Sequence, residues 1–255
     1  MSDGAIYRCG FLERVPLGTS YVGVVNHVGR LLHRLPVGAE LAIDFTGVGR
    51  PVFDMFAATG LAPVGILITG GTSETYDGGI VGVPKLSLIS RLQALLHEGR
   101  LKIHRDLAEA PTLVRELADF RVQYSAAGSL TFGARVGKHD DIVLALAIAT
   151  WRAYGSGPRH AMFELVRAQA AALSGLAEPI TTVVGVDLGQ STDFTAIAVI
   201  QRIPASRIEE RADRPQPPVI EPEGEALYAK GSVERAAQDA RHAAPPQPGD
   251  AWLPQ

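Results

Sequence analysis

Three observations predict an α/β fold in which helices flank a central sheet. Short apolar runs suited to strands alternate with longer segments of helical periodicity along most of the chain. Two of the strand candidates, Leu41-Ala42-Ile43-Asp44 and Val183-Val184-Gly185-Val186-Asp187, end in an aspartate followed by a Gly-containing turn that exposes it. Finally, Gly137-Lys138-His139-Asp140-Asp141 opens an Ala/Leu-rich helix with two adjacent carboxylates in its first turn, where the helix dipole and free amides favour negative charge. Three carboxylates can thus converge at one edge of a sheet.

In chain order, Tyr7 to Val15 reads as the first strand, followed by a helix near Tyr21 to Leu35. Cys9, the single cysteine, lies in that strand. It excludes an internal disulfide and a thiolate zinc site, and is expected to be a buried structural thiol. Leu41 to Asp44 is the second strand, Val52 to Thr59 a helix and Val64 to Thr69 a third strand. Gly70 to Gly82 reads as a mobile loop or small hairpin near the acidic edge. Pro84 opens a helix over Lys85 to Glu98, with Gly99 beyond its end. Leu101 to His104 is a strand, and Pro111 to Phe120 and Asp140 to Ala153 are helices. The apolar run Ile142 to Trp151 is too short to span a membrane and reads as core. Arg152 to Thr182 is a connector containing an amphipathic stretch, Arg159 to Leu173, with Met162, Phe163, Val166, Ala170 and Leu173 on a helical period. Val183 to Asp187 and Thr195 to Arg202 form a closing hairpin. From Pro204 to the end the sequence is rich in Pro, Glu, Arg, Gln and Ala, the composition of a disordered tail, with a short helix at most over residues 223–243.

The formal net charge of −3 argues neither for nor against a nucleic-acid partner. The excess acid lies in the connector and tail, so residues 1–152 are near neutral. With three acids assigned to metal, the remaining surface is modestly basic, and Lys85, Arg91, Arg100, Lys102, Arg105, Arg135 and Lys138 are candidates for weak phosphate contacts. There is no signal peptide and no membrane-spanning stretch, which predicts a cytoplasmic protein.

Carboxylates held a few ångströms apart repel, and take up protons at neutral pH unless a cation neutralises them. Hard oxygen ligands in this number suit Mg2+ or Mn2+. Two such ions about 4 Å apart are the usual device for in-line displacement at phosphate. Of the adjacent pair, one is read as a ligand and the other as a cap or support, with Asp141 favoured as the ligand. His139 either orients a neighbour or helps at the metal. Asp193 reads as a turn residue or an outer acid.

Several segments together resemble the nuclease domain of phage large terminase subunits, the DNA-packaging enzymes. They are Val83-Pro84-Lys85, Leu117-Ala118-Asp119-Phe120, the His139-Asp140-Asp141 helix, Asp44-Phe45-Thr46-Gly47-Val48-Gly49-Arg50-Pro51-Val52 and Asp187-Leu188-Gly189-Gln190-Ser191-Thr192-Asp193-Phe194-Thr195-Ala196. The resemblance covers residues 5–153 and 181–203. It implies a ribonuclease H-like mixed central sheet and a divalent-metal-dependent endonuclease acting on double-stranded DNA. Asp44, Asp187 and Asp141 would hold the ions, with Asp140 in support and His139 beside them. The order of the pieces departs from the family: the hairpin that opens a terminase nuclease comes last here, as in a circular permutant opened at a turn. The resemblance thus implies a nuclease domain over 5–203, with 152–182 as connector and 183–203 as the displaced hairpin, before a tail over 204–255. The displaced strand either closes the sheet in cis or pairs with a second copy in a domain-swapped homodimer. The Gly-x-x-x-x-Gly-Lys-Ser/Thr phosphate loop of a packaging motor is missing, so a separate packaging ATPase or portal component would be a partner.

Two other readings stay open. Asp187-Leu188-Gly189-Gln190-Ser191-Thr192 and Asp44-Phe45-Thr46-Gly47-Val48-Gly49 resemble the two phosphate loops of actin-like ATPases and sugar kinases, which share the ribonuclease H-like sheet. A rearranged prophage remnant that only binds DNA or a partner is the non-catalytic alternative.

Overall fold

The hairpin nearest the end of the chain lies in the middle of the sheet. In the computed structural model, residues 4–46, 49–124, 130–134, 139–155, 169, 179–189 and 193–208 are described. The strands are β1 (Ile6–Val15), β2 (Glu40–Asp44), β3 (Val64–Thr69), β4 (Thr75–Asp77), β5 (Ile80–Pro84), β6 (Leu101–Ile103), β7 (Phe120–Tyr124), β8 (Leu130–Ala134), β9 (Thr181–Asp187) and β10 (Thr195–Ile203). The helices are α1 (Tyr21–His33), α2 (Gly49–Ala58), α3 (Lys85–His97), α4 (Ala110–Asp119) and α5 (Asp141–Tyr154).

Eight strands form one mixed sheet in the order β4-β5-β3-β2-β9-β10-β1-β6, and β7 and β8 form a separate pair. β9 is parallel to β2, β2 to β3 and β3 to β5, while β10 runs antiparallel to both β9 and β1. The order β3-β2-β9-β10-β1, with only β10 reversed, is the ribonuclease H-like mixed sheet that the resemblance implies. Both central pairings, β9 with β2 and β10 with β1, form within the one chain.

Alternation along the central strands builds two apolar layers, because successive side chains of a strand point to opposite faces. Leu41, Ile43, Val184, Val186, Ile197 and Val199 pack with Val24, Val28, Leu31 and Phe56 on the face covered by α1 and α2. Ala42, Val183, Ala196, Ala198 and Ile200 pack with Leu88, Leu92, Ile142, Leu146 and Trp151 on the face covered by α3 and α5. The same alternation assigns Asp44 and Asp187, each two residues beyond a small residue of the second face, to the α5 side. α5 is buried nearly all round, from Asp141 to Thr150 without a break. A helix so apolar is stable only as a core element, which is how its short hydrophobic run is used.

The predicted elements lie within one or two residues of those observed, except that α2 starts three residues before Val52; β5, β7 and β8 are not read as strands, and β4 is covered only by the loop-or-hairpin reading of Gly70 to Gly82. Gly70 to Gly82 does contain a hairpin, β4 with the first part of β5. Its tip differs from the expected position. Ile80 pairs with Gly65 at the start of β3, so the Gly78-Gly79 turn, with φ of 52° and 90°, lies at the end of the sheet away from Asp44 and Asp187. Both glycines take the left-handed conformation that other residues resist. Pro84 ends β5 and caps α3, so the helix starts at Lys85. The amphipathic stretch 159–173 lies outside the described residues, apart from residue 169, and so do residues 209–255, which carry most of the predicted tail.

Candidate metal centre

β9 and β2 run side by side in parallel register, Ile43 opposite Val186, so their final residues, Asp44 and Asp187, emerge together at the same edge. The Asp187 carboxyl is hydrogen-bonded to that of Asp44 and feels the charges of Asp141 and Asp140. Asp44 is fixed by its own turn: its Oδ1 accepts the Thr46 amide at 2.8 Å, and Thr46 Oγ1 accepts the amide of Ile68 on β3 at 2.8 Å. An aspartate holding an amide two residues on is a common way to stabilise the turn after a strand. Gly189, two residues past Asp187, has no room for a side chain. A Cβ at Gly189 would lie 2.3 Å from the Asp193 carbonyl oxygen, and the Gly189 amide donates to Thr195 Oγ1 at 3.2 Å.

The third carboxylate arrives from above. α5 runs over β9 and β10 in close contact because the facing residues are small: a Cβ at Gly185 would fall 2.4 Å from the Ala145 carbonyl oxygen and 2.8 Å from Ala149 Cβ. Asp141 stands one helical turn before Ala145, and Asp187 two strand residues after Gly185. The same close seat therefore sets the helix's first carboxylate against the strand-end one. Asp141 and Asp187 are 6% and 7% exposed, which makes them buried charges that demand compensation.

Of the adjacent pair, Asp141 is the buried member, and Asp140 does not act as a cap. Asp140 occupies the N-cap position of α5 but makes no side-chain capping bond. It faces Lys85 at the start of α3, with 3.4 Å between its Oδ2 and the Lys85 Nζ. The cap comes from elsewhere: Glu116 Oε2, on α4, accepts the amides of Ile142 and Val143 at 3.0 and 3.1 Å. The sequence reading missed this residue. Its signal is present, since Glu116 interrupts the apolar stripe Leu113, Leu117, Phe120 of an amphipathic helix, where a carboxylate is out of place unless it has buried donors.

His139 sits at the rim, its Nδ1 3.7 Å from Asp141 Oδ2 and 3.6 Å from Asp193 Oδ1. One ligand atom each from His139, Asp141 and Asp193 lies within 4.8 Å of the others. Asp193, at the end of the β9–β10 turn, therefore joins the group from its exposed side. Phe194 is a ring platform beside it, edge-on to His139 and with the Arg14 guanidinium 4.6 Å above its centre.

These environments shift the acids in one direction. Burial, reinforced by the charges of Asp44, Asp141 and Asp140, holds the Asp187 carboxyl well above the ordinary carboxylate range. Burial pushes Asp141 up to about 6 against the opposing pull of His139, with Asp193 and Asp140 adding to the rise. Glu116 is pushed up to about 7, again chiefly by burial, with its bond from the Val143 amide opposing.

The donor set fits a hard divalent cation. It is dominated by carboxylate oxygens, and Asp141 Oδ2 is buried with no hydrogen-bond partner among the described residues. Two cations border the acids: Lys85 pairs with Asp140, and Arg14, paired with Glu109, also draws Asp141 down, but neither outweighs the burial of Asp141. A cavity of about 970 Å³ opens at the opposite end of the sheet, lined by residues including Glu40, Gly79 and Arg152, and contains none of these acids.

Fold and edge together define a ribonuclease H-like domain bearing a carboxylate cluster at the ends of its central strands. The chain is similar to solved structures of the large terminase nuclease from thermophilic phage G20c, with 20% identity over 59% of this chain and 83% of that one at a TM-score of 0.40. The cobalt-bound form of that nuclease gives 22% identity, 58% and 82% coverage and a TM-score of 0.41, and the magnesium-bound form 24%, 57%, 80% and 0.40. No family model and no curated protein matches the chain.

Proposed function

We propose that this chain is a divalent-metal-dependent endonuclease that hydrolyses phosphodiester bonds of double-stranded DNA, a permuted terminase-type nuclease domain over residues 5–203. The observation that carries the reading is the convergence of Asp187, Asp44 and Asp141, two of them buried, at one sheet edge. Asp187, Asp44 and Asp141 would hold Mg2+ or Mn2+, with Asp140 supporting from the helix start. When bound, such ions supply Lewis-acid activation of water and neutralise the charge developing on the phosphate. The aspartates orient that chemistry from rigid strand and helix ends. His139, exposed and close to both Asp141 and Asp193, holds or passes a proton at Nδ1 at the rim. Lys85, half-buried beside Asp140, presents an ammonium to a phosphate oxygen of the approaching strand. Water adds to phosphorus, one P–O ester bond breaks, and the products are a phosphate monoester end and an alcohol end. In this reading β9 and β10 are the family's first hairpin moved behind the rest, double-stranded DNA is the substrate, a separate packaging ATPase or portal component is the partner, and the cytoplasm is the site of action.

The test is nicking and linearisation of supercoiled plasmid by the purified chain with Mn2+, Mg2+ or EDTA. Cutting with either ion and none in EDTA is the expected result. A folded protein that cuts nothing under any of these conditions would sink the reading, and ATP binding by the same protein would point to the actin-like alternative.

A further inference from the structure

The N-terminal amides of a helix need acceptors, and those acceptors usually come from the residue at the helix start. In α5 that residue is Asp140, whose carboxylate is turned to Lys85 instead. The two amides that follow Asp141 donate to one oxygen of Glu116, a residue that is 5% exposed and belongs to a different helix. The second oxygen, Glu116 Oε1, is buried without a hydrogen-bond partner among the described residues. One carboxylate thus accepts from the peptide units on the C-terminal side of Asp141 and ties α4 to the first turn of α5.

We propose that Glu116 is a positioning residue for the carboxylate cluster: by capping α5 from α4 it frees Asp140 and Asp141 from capping and fixes Asp141 where a divalent cation is held. The inference rests on the metal-dependent reading given above. It assigns Glu116 no contact with substrate or ion; the residue acts through the Ile142 and Val143 amides. A local Ser or Asp cap turns its oxygen back into the helix, and either aspartate in that role would be withdrawn from the cluster. The length of the Glu116 side chain matters more than its charge, since the bond is to backbone amides of fixed position.

That distinction makes the test. Glu116→Gln retains an acceptor oxygen at the same reach, Glu116→Asp retains the charge but withdraws it by one methylene, and Glu116→Ala removes both. Mn2+ affinity is measured by calorimetry on the metal and protein alone, at a temperature where each variant is folded, with exchange rates of the Ile142 and Val143 amides read by NMR. We expect Glu116→Asp and Glu116→Ala to bind Mn2+ about tenfold or more weakly, and Glu116→Gln to stay within about threefold of the parent. In the plasmid assay kcat should fall with the affinity while KM for DNA holds. If Glu116→Ala does not fold, the Gln and Asp variants carry the comparison. Mn2+ affinity unchanged in the Asp variant reduces Glu116 to a structural cap and overturns the proposal, as does an equal loss in the Gln variant, which would indicate a role for the charge itself. A parent protein that binds Mn2+ but does not cut DNA sinks the nuclease reading alone. Cutting by the parent with unaltered variants sinks only the assignment of Glu116.

Discussion

β2 carries an acid at each end, and the two ends are treated in opposite ways. Glu40, at its start, meets Arg152 from the last turn of α5, with the guanidinium Nε and Nη2 both 2.6 Å from Glu40 Oε2. Asp44, at its finish, meets a second aspartate. The same two elements, β2 and α5, thus form a neutral ion pair at one end of the sheet and a set of mutually repelling carboxylates at the other. Buried like charges oppose folding, so a chain that tolerates them while completing a salt bridge four residues away has the means to avoid them. The lower end is neutralised within the chain, and the upper end, left with its repulsion, is where the proposed function places a cation.

The sharpest way to break this contrast is Asp187→Asn. Removal of the central acid should reduce metal-dependent plasmid cleavage by roughly a thousandfold or more, because the ion site loses the ligand that adjoins all the others. The same substitution should raise the melting temperature in EDTA near neutral pH, since the amide keeps the shape and needs no bound proton to be neutral beside Asp44. Full activity, or a fall in melting temperature comparable to that of a core mutation, would remove Asp187 from the site.

How much of this was legible beforehand differs between strand ends and helix ends. Asp44 and Asp187 each close a run of strand residues and precede a Gly-containing turn, so their exposure at one edge follows from local pattern alone. Their adjacency does not follow from local pattern, because it depends on β9 inserting between β2 and β10; the family resemblance, not periodicity, anticipated that order. The roles within Asp140-Asp141 were not separable from sequence, since the carboxylate that accepts the first α5 amides, Glu116, is 24 to 25 positions earlier on another helix. The short strands β4 and β7 were missed because three to five residues leave too little pattern to read.

Gly185→Ala probes the seat that joins the two ends. The added methyl would meet the Ala145 carbonyl oxygen at 2.4 Å and the Ala149 nitrogen at 2.7 Å, both on helix backbone, so α5 must move away from β9. A loss of about 3 kcal/mol of stability is expected from such overpacking, measured by urea denaturation. Mn2+ affinity should fall with it, because Asp141 moves with the helix. Retained affinity in a destabilised protein would show that Asp141 reaches the cluster independently of that seat.

Arg152→Met separates the ends in the other direction. Glu40 then loses a partner while only partly buried, and about 1–3 kcal/mol of stability should go with it. Cleavage per folded molecule should stay within about twofold, since the pair lies at the far end of the helix from Asp141 and makes no contact with the cluster. A large loss of activity with the fold intact would couple the two ends and undo the division between them.

The smallest expected effect is also the one that tests the contrast without a mutation. In metal-free protein Asp141, raised to about 6, Glu116, raised to about 7, and Asp187, raised well above its ordinary value, keep protons that the unfolded chain has already released. The native state therefore binds more protons than the unfolded state from about pH 4 to about pH 7, and stability must fall as pH rises through that window. A drop of a few degrees in melting temperature between pH 5 and pH 8 in EDTA is the expected reading. Mg2+ or Mn2+ replaces the protons as the neutralising charge, so the slope should flatten or reverse when either is added, and Asp187→Asn should flatten it without metal. A melting temperature that rises with pH in EDTA would mean that these carboxylates are already compensated by the protein itself, leaving the upper end of β2 no different from the lower.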